Sequence, residues 1–78
     1  MDDFKEKVGH RLKVLRVDAR MSQEELAQRS GVSVAAIGNY EQGKGGPLLE
    51  TACALAEALG CTPNDLCGYD QQGRGDAS

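Results

Sequence analysis

The 78-residue chain has no tryptophan, a single phenylalanine and two tyrosines. Aromatics this scarce, with alanine and leucine frequent, favour helices over a sheet. No apolar run approaches the roughly 18 residues that a membrane-spanning helix needs. The N-terminus is acidic and has no apolar signal region, so the expected location is the cytoplasm. There is one histidine, His10, and no nucleophile with a base at a plausible spacing, so an enzyme is not expected. The glycines at 43–46 follow no strand and form no phosphate-binding motif. The three cysteines, Cys53, Cys61 and Cys67, cannot all pair within one chain, and none has C-x-x-C spacing. They read as reduced, mostly buried thiols, and a zinc site built from them and His10 lacks the ligand spacing. Neither a metal nor a cofactor is expected.

The segment from Ser22 to Glu41, SQEELAQRSGVSVAAIGNYE, is where the information concentrates. Ser22 suits a helix N-cap, and Glu25 stands where it can reach back to complete a capping box. Leu26 and Ala27 supply an apolar face. Gly31 falls where that helix must stop and the chain must turn through a left-handed conformation. Val32 plugs the turn, Ser33 caps a second helix, and Ala36, Ile37 and Tyr40 recur at helical spacing. Helix, glycine turn, helix is a device for setting one helix against the major groove of DNA.

The pattern along the chain predicts five helices and no strand. The first runs over 3–19, with Phe4, Val8, Leu12 and Leu15 on its inner face. The second spans 23–30 and the third 34–42, with a glycine- and proline-rich loop at 43–47. The fourth covers 48–59, with Ala52, Leu55, Ala56 and Leu59 inward and Gly60 ending it. Thr62 caps a short fifth helix, Pro63 fits its first turn and Leu66 anchors it. A chain this short builds one domain, expected over 1–69, around a small core. Residues 70–78 are polar and glycine-rich and read as a disordered tail. Arg74-Gly75-Asp76 in that tail reads as a chance occurrence of an integrin-binding tripeptide.

Leu12, Leu15 and Arg16, then SQEELA, GVS, Ile37, YEQGK, Pro47 and LAEALG at 55–60 resemble the Cro/repressor-type helix-turn-helix domain, the Xre-like family of phage repressors and bacterial regulators. The spacing between these blocks matches as well, over roughly residues 8–66. The resemblance implies an all-α, five-helix, lambda-repressor-like fold and a transcriptional regulator whose third helix reads the major groove of double-stranded DNA. It maps base contacts onto Ser33, Val34, Ala35 and Asn39. It maps phosphate contacts onto Gln23 at the start of the second helix, and onto Gln42, Lys44 and the backbone amides of Gly45 and Gly46. It implies a structural ion pair between Arg16 and Glu41. It also implies a homodimer, with the interface expected at 63–69, from Pro63 to Tyr69.

The reader so defined is unusual in its chemistry. Only Asn39 carries a bidentate amide suited to adenine, while Val34 and Ala35 can only press on thymine methyl groups. No Arg or Lys is present to read guanine. Gly38 stands where the family usually has a larger polar residue. It either permits close approach to DNA or is a tolerated weak spot, costing about 1 kcal/mol against alanine. The net charge is −3, although residues 1–44 carry eight Lys/Arg (Lys5, Lys7, Arg11, Lys13, Arg16, Arg20, Arg29, Lys44) against seven Asp/Glu. Sequence-independent attraction to phosphates should therefore be weak. The alternative reading is a protein-interaction module of the same fold with weak or lost DNA binding.

Overall fold

The computed structural model describes residues 2–67. The expected tail at 70–78, the Arg74-Gly75-Asp76 run and Tyr69 lie outside the described residues. Five helices follow one another: α1 Asp2–Asp18, α2 Gln23–Ser30, α3 Val34–Glu41, α4 Leu49–Leu59 and α5 Pro63–Cys67. No strand occurs among the described residues. The fold is all-α, as the alanine- and leucine-rich composition leads one to expect.

Each helix contributes a large side chain that is shut off from water: Leu12, Leu26, Ile37, Leu55 and Leu66. Together with Ala56 they form a single core, flanked by Leu15, Val32, Tyr40, Ala52 and Leu59. Burial of each such Leu or Ile contributes about 1.5–3 kcal/mol before the entropy of folding is counted. α1 packs on α3 and α5, α2 on α3 and α4, and α4 on α5. Phe4 departs from its expected inward position and is 57% exposed. It shares the face of Val8 and Leu12 but lies at the edge of the core, where α4 and α5 cover it only in part. It stands at the rim of a shallow apolar depression with Val8, Pro47, Ala52, Leu66 and Cys67. The three thiols are half-buried rather than buried. Burial pushes the Cys61 thiol up, with the nearby Asp65 carboxylate adding to the shift.

The helix ends are set by local chemistry. The Ser22 hydroxyl accepts from the Glu25 amide at 3.0 Å, and Ser33 accepts from Ala36 at 3.1 Å. The Glu25 carboxylate does not close the expected capping box, pairing instead with Arg29 at 3.0 Å, one turn along the exposed face. Around α5 the reciprocal box does form: Thr62 N–H donates to Asp65 Oδ2 at 3.0 Å and Asp65 N–H to Thr62 Oγ1 at 3.3 Å. α3 and α4 both end in a Schellman turn, with Gly43 at φ 76° and Gly60 at φ 74°. α1 ends in the same turn, in which Arg20 donates to Val17 and Met21 to Arg16, but its left-handed residue is Arg20 at φ 62°.

Among the described glycines, Gly9 sits at the tightest approach. α1 crosses α3 so tightly that a methyl at Gly9 would overlap the Tyr40 carbonyl oxygen and lie 3.1 Å from that of Glu41. Two substitutions should therefore move stability in opposite directions. Gly9→Ala is expected to cost about 1–3 kcal/mol by forcing the two helices apart, a fall of several degrees in Tm. Arg20→Gly is expected to add about 0.5–1 kcal/mol by relieving a left-handed non-glycine residue. Thermal melts of the two variants beside the parent chain check both signs.

Candidate nucleic-acid interface

α3 is held from beneath and from its C-terminal end, which leaves its outer side bare. Ile37 is fully buried under it. Ser33, Val34, Ala35 and Asn39 are exposed, as are Gln42 and Lys44 just beyond. All four positions assigned to base contact thus lie on open surface, one turn apart along a capped helix. The Ser33 hydroxyl oxygen already accepts the Ala36 amide, so its O–H is the group left to offer a partner.

The Arg16 guanidinium fixes the C-terminal end of α3. Its Nε donates to Glu41 Oε2 at 2.7 Å, one Nη to Glu41 Oε1 at 3.1 Å, and the other Nη to the Met21 carbonyl at 2.8 Å. One side chain of α1 therefore ties α3 and the start of the helix-turn-helix together. The pair is well covered, with 12% of the Arg16 side chain and 5% of the Glu41 side chain accessible. The hydrogen bond to Glu41 raises the Arg16 pKa, against an opposing desolvation effect. A cation whose folded pKa is raised adds stability at every pH below its ordinary value, and loses it only as pH climbs through the higher one. The contribution is accordingly present throughout the neutral range.

Gln23 joins this cluster. Its side-chain Nε2 donates to Glu41 Oε1 at 3.1 Å, so the amide assigned to phosphate is tethered to the protein. Sequence reasoning missed this link, because it joins residues 18 apart on two helices and shows only once the crossing is known. In the loop after α3, Lys44 N–H donates to the Asn39 carbonyl at 2.9 Å, which leaves Lys44 its ammonium for a phosphate. Among the described residues neither Gly45 nor Gly46 gives its N–H to another backbone group, and no atom lies within 4 Å of where their Cβ atoms would be. Gly46 is exposed and Gly45 half-buried.

The basic side chains are fewer at this surface than the sequence suggests. Arg11 Nε donates to the Asp65 carbonyl at 2.7 Å and locks α1 to α5. Arg29 is taken by Glu25, and Arg16 by Glu41. Three of the eight Lys/Arg of residues 1–44 are thus engaged within the molecule. Among the described residues no group of His, Cys, Asp and Glu is placed to hold a metal ion, and no helix is long and apolar enough to cross a membrane.

Glu41→Gln should lower stability by about 1–3 kcal/mol, since it leaves a covered guanidinium short of its counter-charge. Because the pair is shielded from solvent ions, raising the salt concentration should change the stability of the parent chain little by comparison. Urea melts of both proteins at low and high salt measure the two effects.

The profile of the helix-turn-helix family HTH_3 matches residues 12–66. The transcriptional repressor RstR of the cryptic phage CTXphi, from Vibrio cholerae serotype O1, is 32% identical over 62 residues, 80% of this chain and 55% of the repressor. The chain therefore spans about half the length of that relative. The uncharacterized HTH-type transcriptional regulator y4dJ of Sinorhizobium fredii is 34% identical over 64 residues, 82% of this chain and 83% of the regulator. Among solved structures, the restriction-modification controller protein C.AhdI of Aeromonas hydrophila superposes with a TM-score of 0.77 at 37% identity, covering 80% of this chain and 94% of the controller. With its profile matched from Leu12 to Leu66 and its five helices in the same arrangement, the chain belongs to the HTH_3 helix-turn-helix family.

Proposed function

We propose that this chain is a sequence-specific, DNA-binding transcriptional regulator of the repressor type, with α3 lying in the major groove. The observation that carries this reading is the exposure of Val34, Ala35 and Asn39 on a helix whose other side is pinned by Ile37 and Glu41. B-DNA's major groove admits one helix, and its base edges carry a full code of donors, acceptors and methyl groups. Asn39 supplies the amide for an adenine. Val34 and Ala35 press on thymine methyl groups, and Ser33 donates its O–H to a base or phosphate. Gln42, the Lys44 ammonium and the amides of Gly45 and Gly46 hold the backbone, with Gln23 at the opposite end of the motif. The named relatives, a phage repressor and a restriction-modification controller among them, support regulation of transcription as the role. Contact with the chromosome makes the cytoplasm its place of work.

One short reader spans few base pairs, so the working form is a homodimer on a two-fold site. Leu66 is turned inward, so α5 offers a second copy Pro63, Asn64 and Cys67 among its described residues. Two copies would place their α3 helices about 34 Å apart, one turn of the duplex.

Selection of bound fragments from a random duplex pool, followed by titration at several salt concentrations, tests the reading. A regulator should recover a two-fold sequence and lose affinity steeply as salt rises. No binding even at low salt would assign the fold to protein interaction instead. On the recovered site, Asn39→Ala should cost about 1–3 kcal/mol of discrimination at one base position. Lys44→Ala should weaken binding to all sequences alike and shallow the salt slope by about one unit.

A further inference from the structure

The fold gives a reason for most of the described glycines, but not for Gly38. Gly9 permits the α1–α3 crossing, and Gly31, Gly43 and Gly60 hold left-handed turns at φ 80°, 76° and 74°. Gly38 lies inside α3 and is not among the residues with positive φ. A Cβ there would meet only the Gln23 amide, with Nε2 and Oε1 each 4.0 Å away, an ordinary contact. Any small side chain would fit, and most would suit a helix of eight residues better than glycine does.

What the missing side chain leaves uncovered is the tethered amide of Gln23. Its Nε2 is anchored on Glu41, which is itself gripped by Arg16, so the group is held in one orientation. Its carbonyl oxygen accepts no hydrogen bond among the described residues. A free carbonyl beside a remaining N–H matches an edge that offers a donor next to an acceptor, and its lone pairs are repelled by a phosphate. Adenine shows that pairing in the major groove through N6 and N7. Gly38 follows Val34 by four residues and Ala35 by three, so it sits on the same strip of α3. Neither of those side chains can make a hydrogen bond.

We propose that Gly38 is a specificity-determining gap through which Gln23, supplied by α2, reads an adenine that α3's own first turn cannot recognise. The inference rests on the DNA-binding reading above and assigns Gln23 a base in place of a phosphate. Gly38 is kept bare at the expense of helix stability so that the amide stays open.

The test compares the parent chain, Gly38→Ala, Gln23→Ala and the double variant. The ligands are the duplex recovered by the parent from a random pool, single-base-pair variants of that duplex, and random-sequence DNA. Gly38→Ala should melt higher than the parent. It should lose about tenfold preference at one adenine position, the loss expected for one bidentate contact. Gln23→Ala should lose preference at that same position, and the double variant should lose no more than either single one. Gly38→Ala retaining the parent's preference at every position would overturn the inference and leave the DNA reading intact. Gln23→Ala weakening all sequences alike, with a shallower salt slope, would overturn it in favour of a phosphate role. Failure of the parent to recover any sequence would overturn the inference together with the reading it rests on.

Discussion

The grip of Arg16 on Glu41 is the constraint on which the rest of this structure depends. α3 has eight residues, too few to be stable as an isolated helix in water. Its one fully buried side chain is Ile37, with Tyr40 packed beside the core, and these set its depth more than its rotation. Rotation is fixed at the far end, where a guanidinium from α1 takes both carboxylate oxygens of Glu41 and also the Met21 carbonyl. Two N–H groups of a planar guanidinium on one carboxylate leave little freedom to turn. Gln23, resting on the same carboxylate, brings α2 into register with α3. On the proposed reading a base-reading helix needs placement of this kind, because a rotation would redirect the exposed Asn39 side chain while leaving the core intact.

The same cluster explains which parts of the site were legible in the sequence. Ser22, Gly31 and Ser33 announce themselves because caps and turns are decided within a few residues of chain. Leu12, Leu26, Ile37, Leu55 and Leu66 follow from helical spacing, which reports the inner face directly. Phe4 shows where spacing stops informing. Periodicity gives the face of a residue but not how fully other elements cover that turn, and Phe4 is left more than half exposed. Gly9, the Arg11 link to the Asp65 carbonyl and the Gln23–Glu41 bond were invisible for one reason. Each depends on how two helices cross, and none leaves a mark in its own neighbourhood. Arg20 was hidden differently. A left-handed residue at a helix end reads as glycine, and this turn was built with arginine instead.

Glu25 and Arg11 show how electrostatic expectations from sequence are redistributed on folding. The sequence places eight Lys/Arg in residues 1–44, but the fold engages Arg11, Arg16 and Arg29 within itself. The exposed pair of Arg29 with Glu25 adds little to stability. The covered pair of Arg16 with Glu41 matters through geometry rather than net energy, since desolvation cancels much of its attraction. In both cases a positive charge is neutralised before a duplex arrives. With a net charge of −3, the chain has little long-range pull toward DNA to begin with.

Weak attraction at a distance shifts the weight of recognition to short-range contacts. Those contacts require a surface that can come close, and the outer side of the motif is built for closeness. Val34 and Ala35 are small or compact, and Gly38, Gly45 and Gly46 carry no side chain at all. Exposed backbone amides donate to phosphate without the long, mobile stems of lysine, so less side-chain entropy is lost on binding. A helix with a bare flank also sits deeper in a groove than one fringed with long polar residues. On the proposed reading, the features that look like deficits in a DNA binder, few free basic side chains and bare glycines at 38, 45 and 46, serve one arrangement in which the backbone comes close to the duplex.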